Sequence, residues 1–195
     1  MFLQLGVRNE QFTINSLKSM SMNVKTLKIP KGLHRPITFV PACFKGMKVC
    51  RGNGWITKDS YVYVFDDSCR YRLDNNDQYD WNKLKGYCFG ILGIHEDSMR
   101  IVWRYNPDTD KIELGYYIYK KGSLTHNMIC SVSIGEAVLL RIEIWLGESI
   151  GCYFHLKGMT ITEEFDKSKF IFGCGLYFGG NQRSPKTMKI KQYKI

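Results

Sequence analysis

A chain of 195 residues, 44% hydrophobic and 14% aromatic, is long enough for one domain with a full core. Its 18 glycines and the lack of Ala, Leu and Glu runs exclude a fold of long helices. The net charge of +10 fits an acidic partner or plain solubility, but the basic residues are scattered. Only Lys186, Lys189, Lys191 and Lys194 cluster, with no Arg-rich arm and no recognition-helix pattern, which argues against nucleic acid.

Residues 1–25 are polar, poor in glycine and rich in Ser, Asn and Met, and are expected to form an N-terminal arm or an added strand. The opening MFLQLGVRNEQF has no basic leader region, and Gln4 and Gly6 interrupt its apolar run, so the expectation is cytoplasmic synthesis without a signal peptide. No apolar run approaches the length of a membrane span, so no membrane partner is expected. From Thr26 onward strand patterns recur at 26–30, 37–44, 47–50, 61–65, 69–73, 86–93, 99–105, 112–120, 127–133, 137–146, 150–156, 159–163, 169–177 and 187–194. Turn formers separate them, among them Arg51-Gly52-Asn53-Gly54, Lys120-Lys121-Gly122-Ser123 and Gly179-Gly180-Asn181. Only 77–85 has a short helical pattern. Residues 26–195 are therefore expected to fold as one all-β, antiparallel jelly-roll sandwich. Three hairpins are predicted: 99–105 with 112–120, 112–120 with 127–133, and 137–146 with 150–156.

The segment Met99 to Tyr119 carries the strongest signal. If Tyr105 sits opposite Ile112, then Arg104 faces Glu113, Val102 faces Gly115 and Arg100 faces Tyr117. These residues and Tyr119 share one face. Met99, Ile101, Trp103, Leu114, Tyr116 and Ile118 share the other, the core face. The strand 137–146 repeats the theme, with Arg141, Glu143 and Trp145 alternating against Ile142, Ile144 and Leu146. Two strands with the same charged and aromatic outer face suggest one shared sheet surface.

Seven cysteines are widely spaced, with no CxxC pair, so neither a zinc site nor a disulfide framework is expected. Most lie in apolar strand segments, where a thiol packs as a small hydrophobe, which fits a reducing compartment. His34, His126 and His155 have no ligand spacing to a carboxylate or cysteine, so no metal and no cofactor is expected. Glycoside hydrolysis needs two carboxylates flanking one bond. Glu143 and Glu148 are an odd number of residues apart and Glu163 and Glu164 are adjacent, so each pair points to opposite faces of a strand. No catalytic residue is assigned.

The segment GILGIHEDSMRIVWRYNPDTDKIELGYYIYKKG and the later GCGLYFGGNQRSPKTMKI resemble a group of small β-sandwich proteins from gut Bacteroidetes and their phages. The matching residues are His95, Ser98, Arg100, Trp103, Arg104 and Tyr105, then Tyr177, Phe178, Gly179, Gly180, Asn181, Pro185, Met188 and Ile190. The group is similar to concanavalin A-like lectin/glucanase folds and to some polysaccharide lyases, over roughly residues 26–195. Arg183 stands where the pattern has a small residue. The strings of an alginate-lyase-like site are not intact: Gly93-Ile94-His95 replaces Gln-Ile-His, and no Tyr-x-Lys-x-Gly-x-Tyr strand is present.

Aromatic rings stack on sugar faces, while Arg, Glu and Asn bond hydroxyls. The leading expectation is therefore a non-catalytic, lectin-like module. It would hold carbohydrate on His95, Arg100, Arg104, Glu113, Tyr117, Tyr119, Arg141, Glu143 and Trp145. One alternative is a structural or adaptor protein of a phage virion, docking other virion proteins through the sandwich, with an oligomer allowed. The second alternative is a polysaccharide lyase, in which Arg100 would neutralise a uronate carboxylate and His95, Tyr117 or Tyr119 would move protons.

Overall fold

Alternation dictates the strands. In β8 (Ala137–Leu146) Val138, Leu140, Ile142, Ile144 and Leu146 are buried while the residues between them face outward. The computed structural model describes residues 23–33, 47–90 and 93–195. Among them are twelve strands: β1 (Val24–Ile29), β2 (Lys48–Val49), β3 (Gly54–Phe65), β4 (Asn82–Phe89), β5 (Ser98–Asn106), β6 (Lys111–Lys120), β7 (Ser123–Ser133), β8, β9 (Ile150–Leu156), β10 (Met159–Phe165), β11 (Phe170–Cys174) and β12 (Met188–Lys194). They form two six-stranded antiparallel sheets. The first has the order β1-β12-β3-β8-β9-β10 and the second β2-β11-β4-β5-β6-β7. The all-β sandwich expected from the sequence is present, and no described helix is long and apolar enough to cross a membrane.

The core lies between the sheets. Phe65 of the first sheet meets Trp103 of the second with ring centroids 5.2 Å apart, and Phe89 stacks on Phe165 at 4.3 Å. Trp103 has no exposed surface, and truncating such a ring costs about 3–5 kcal/mol.

The three predicted hairpins form. The β5–β6 register is the expected one, with Tyr105 opposite Ile112, Arg104 opposite Glu113 and Arg100 opposite Tyr117. β6 and β7 are joined by Lys121-Gly122, both at positive φ, the type I′ geometry that suits strand twist.

Other expectations fail for local reasons. The helix at 77–85 is absent: a short 3-10 turn spans Asn76–Tyr79 and β4 starts at Asn82. β4 is buried on both faces for most of its length, which hides the period-two signal. The strand at 69–73 is irregular and follows a 3-10 turn at Asp67–Cys69. β3 begins well before residue 61, because a bulge between Trp55 and Thr57 breaks its alternation. The expected strand 37–44, Cys43 and residues 1–22 lie outside the described residues. Val24 and Lys25, at the end of the stretch expected as an N-terminal arm or added strand, belong to β1 and pair with Tyr193 and Gln192 of β12.

One correction bears on the site. β8 lies in the first sheet, whereas β5 and β6 lie in the second. Arg141, Glu143 and Trp145 therefore do not share a surface with Arg100, Arg104, Glu113 and Tyr117. Alternation fixes which face of a strand is polar, but the partner strand is chosen by contacts distant in sequence.

Candidate active site

The site is built on the open face of the second sheet, around Arg100. Its strand neighbours are Gly86 on β4 and Tyr117 on β6. A Cβ on Gly86 would lie 2.7 Å from Arg100 Cγ and 2.3 Å from the Met99 carbonyl oxygen, so only glycine lets the arginine lie flat across β4. The guanidinium carbon sits 5.0 Å from the Tyr117 ring centroid and 5.6 Å from that of Tyr119. Nη1 donates to Tyr177 Oη at 3.1 Å and Nη2 to the Ile94 carbonyl at 3.4 Å. Arg100 is only 1% exposed, its Nε has no hydrogen-bond partner, and it forms no ion pair among the described residues. A buried cation without a carboxylate is costly in a folded chain and marks a site that expects an anion.

Lys83 adds a second cation. The β4–β5 register slips between Lys83 and Lys85, so Lys83 opposes Val102 on the open face while Lys85 opposes Ile101 on the core face. Lys83 Nζ donates to the Trp81 carbonyl at 2.8 Å and hangs 4.1 Å from the Tyr117 ring centroid. Burial first, and the Arg100 charge second, pull its pKa down to about 8, against a smaller opposing pull from Asp80.

The chain after β11 closes the site. Backbone bonds run both ways between Lys83 and Tyr177, at 3.0 and 3.1 Å. Gly179 then passes so close to β4 that a Cβ there would be 2.0 Å from the Trp81 carbonyl oxygen, and its N–H donates to Asn82 Oδ1 at 2.8 Å. This seats the Tyr177 phenol over Arg100. Burial pushes the phenol pKa up, and the neighbouring Arg100 charge works the other way.

The result is a cleft of about 870 Å³ with Lys83, His95, Arg104, Tyr117, His126 and Tyr177 among its lining residues, a size suited to a few sugar rings. His95 is exposed and meets Tyr119 edge-on at 5.1 Å. Partial burial, then repulsion from Arg100 and Lys83, lowers its pKa and favours the neutral imidazole. His126 stacks on Tyr117, 5.6 Å apart and 13° from parallel. Arg104 is already engaged: Nε bonds Glu113 Oε2 at 2.6 Å, Nη1 bonds the Tyr79 carbonyl at 2.6 Å, and the guanidinium stacks over Trp81 at 4.3 Å. Asn106 holds the other Glu113 oxygen at 2.7 Å, so this pair is a braced wall of the cleft.

Of the sequence candidates, the structure brings together His95, Arg100, Tyr117 and Tyr119, with Arg104 and Glu113 at the side. Arg141, Glu143 and Trp145 lie on the outer face of the other sheet, where Trp145 meets Trp55 edge-to-face at 5.3 Å and Glu143 lies 3.7 Å from His155. Sequence reasoning missed Lys83, His126 and Tyr177 as site residues. Tyr177 stands beside the Gly179-Gly180 turn, and that turn was its available signal. Among the described residues no group of three or more His, Cys, Asp or Glu could hold a metal ion.

No family model matches the sequence, and no curated protein matches it. Among solved structures the chain is similar to alginate lyase A1-II′, a member of polysaccharide lyase family 7. The TM-score is 0.51 and the identity 15%, over 88% of this chain and 76% of that one. A tyrosine-to-phenylalanine variant of that enzyme in complex with product matches at 0.51 and 12% identity, with the same coverage. An alginate lyase from Pseudomonas aeruginosa matches at 0.49 and 9% identity, over 73% of this chain and 62% of that chain, less than two thirds of its length. The expectation of a non-catalytic lectin-like module is overturned here. The alginate lyase A1-II′ structures match over 88% of this chain at a TM-score of 0.51, and the supposed sugar-holding face divides between two sheets. The chain has the jelly-roll sandwich fold that these enzymes share.

Proposed function

We propose that the protein is a polysaccharide lyase that cleaves a uronate-containing polysaccharide by β-elimination in the cleft on the second sheet. The observation that carries the reading is Arg100, a buried guanidinium with no carboxylate partner among the described residues, bonded at 3.1 Å to the Tyr177 phenol. The alginate lyases that share the fold support it. A uronate carboxylate would enter beside Lys83, with the Arg100 charge beneath. Neutralising that carboxylate acidifies the adjacent C5 proton, which is the difficult step of the reaction. Neutral His95 at the cleft wall would take that proton as general base. The electron pair of the C5–H bond then forms the C4–C5 double bond, and the C4–O bond breaks. The leaving glycosidic oxygen takes the Tyr177 phenolic proton, and solvent returns the two groups to their starting states. Arg100 acts through Tyr177 and is a positioning residue.

Incubation with alginate, polygalacturonate and a neutral glucan, followed by ultraviolet absorbance of the unsaturated product, tests the reading. Absorbance should rise with at least one polyuronate and not with the glucan. Binding of polyuronates with no unsaturated ends formed would sink it.

A further inference from the structure

The cleft is not uniformly basic. Arg100 and Arg104 share the open face of β5, about 13 Å apart along the strand, so its two ends meet different rings of a bound chain. Lys83 and Arg100 hold one end, and neither is in an ion pair among the described residues. The far end differs. There Arg104 is spent on Glu113 at 2.6 Å, and Asp80 joins the lining. Asp80 precedes Trp81 and β4, and it too forms no ion pair among the described residues. Its carboxylate lies against the Gly180 turn: a Cβ on Gly180 would come 2.3 Å from Asp80 Oδ2 and 3.0 Å from Cγ. Burial, then repulsion from Asp77, raises the Asp80 pKa above the ordinary value, while Lys83 and Arg104 draw it back. Beside it stand Asn181 and the exposed Tyr79 ring, whose Oη donates to Asp108 Oδ2 at 2.9 Å.

A polymer with a carboxylate on every ring would set one uronate at Lys83 and Arg100 and another against Asp80. The geometry points to a different substrate, a polysaccharide in which neutral sugars separate the uronates, with Asp80 as the residue that sets the preference. The neutral ring stacks on Tyr79 and gives hydroxyl hydrogen bonds to the Asp80 carboxylate. A uronate at that place meets an unpaired like charge, which is selection by repulsion. The inference rests on the lyase reading of the cleft and deepens it, because it names the polymer class and a residue outside the proton transfers.

The test compares the full chain on homopolymers (alginate, polygalacturonate, polyglucuronate) and on hyaluronan and deacylated gellan, in which neutral rings separate the uronates. The kcat/KM for an interrupted polymer should exceed that for every homopolymer by at least about 10-fold. Asp80→Asn, which keeps the shape and removes the charge, should narrow that ratio by a similar factor. Equilibrium binding of the same polymers to wild type is read in parallel and needs no variant to fold. Tighter binding of an interrupted polymer with no unsaturated product from any of them would remove the lyase reading and support this preference. Product formed as fast from a homopolymer would keep the lyase reading and overturn the preference. So would a ratio that Asp80→Asn leaves unchanged. No binding to any of the polymers would overturn both.

Discussion

The Tyr177 phenol oxygen takes a hydrogen bond from Arg100 Nη1 at 3.1 Å, joining residues 77 positions apart in the chain. β5 supplies the charge, and the segment after β11 supplies the proton. Tyr177→Phe keeps the ring and removes the proton. Turnover on a polyuronate is expected to fall by about 10²–10⁴-fold with KM nearly unchanged. Steady-state kinetics check this, and full activity in the variant would remove Tyr177 from the chemistry.

Arg100→Met should separate function from stability. Replacing a buried, uncompensated charge by an apolar side chain of similar length is expected to be neutral or to stabilise the fold by up to about 4 kcal/mol. The same change should abolish polyuronate cleavage. Urea unfolding and product absorbance measured on one preparation give both answers. A strongly destabilised variant would mean that Arg100 serves the fold.

Lys83 gives a pH signature with a definite sign. Its folded pKa of about 8 lies below the ordinary 10.5, so burial penalises the charged form. The penalty is present below pH 8. It is relieved as pH rises from about 8 to 10.5, where the unfolded chain still binds a proton that the folded chain has lost. The full effect is on the order of 3 kcal/mol. Lys83→Met should remove this rise, seen as a flatter difference in unfolding free energy between neutral and alkaline pH. Polyuronate binding runs the other way, since the anion needs the ammonium form, and should weaken above about pH 8 in wild type only.

Gly86→Ala tests the seat of Arg100. The new methyl carbon would lie 2.3 Å from the Met99 carbonyl oxygen and 2.7 Å from Arg100 Cγ, with backbone on one side. Destabilisation of about 1–3 kcal/mol is expected, with loss of activity beyond what unfolding explains. Chemical denaturation and rates at a fully folding temperature measure the two parts.

Trp145→Ala removes an edge-to-face partner of Trp55 on the other sheet. A loss of about 0.5–1.5 kcal/mol in stability is expected from the ring pair. Polyuronate cleavage per folded molecule should not change. A large fall in rate would place the outer face of the first sheet in the reaction.

Much of this arrangement can be read from the chain. The β5–β6 register follows from period-two alternation and a polar loop, so the pairing of Arg100 with Tyr117 was legible. Sheet membership was not, because Trp145 and Arg100 present the same local pattern and only distant pairing places them apart. Lys83 was hidden for another reason. It precedes a register slip inside a strand buried on both faces, where alternation carries no information. Tyr177 lies just beyond β11, and its position depends on the close pass of Gly179 over Trp81.

The slip that turns Lys83 outward also has a mechanical meaning. Leu84 lies outside the ladder that pairs Lys83 with Val102 and Lys85 with Ile101, and an unpaired residue inside a strand is a place where a sheet can give. Capture of an anion at Lys83 would pull on that point directly. The cleft would then report occupancy through the middle of β4, as slowed amide exchange around Leu84, and not through the closing of a loop.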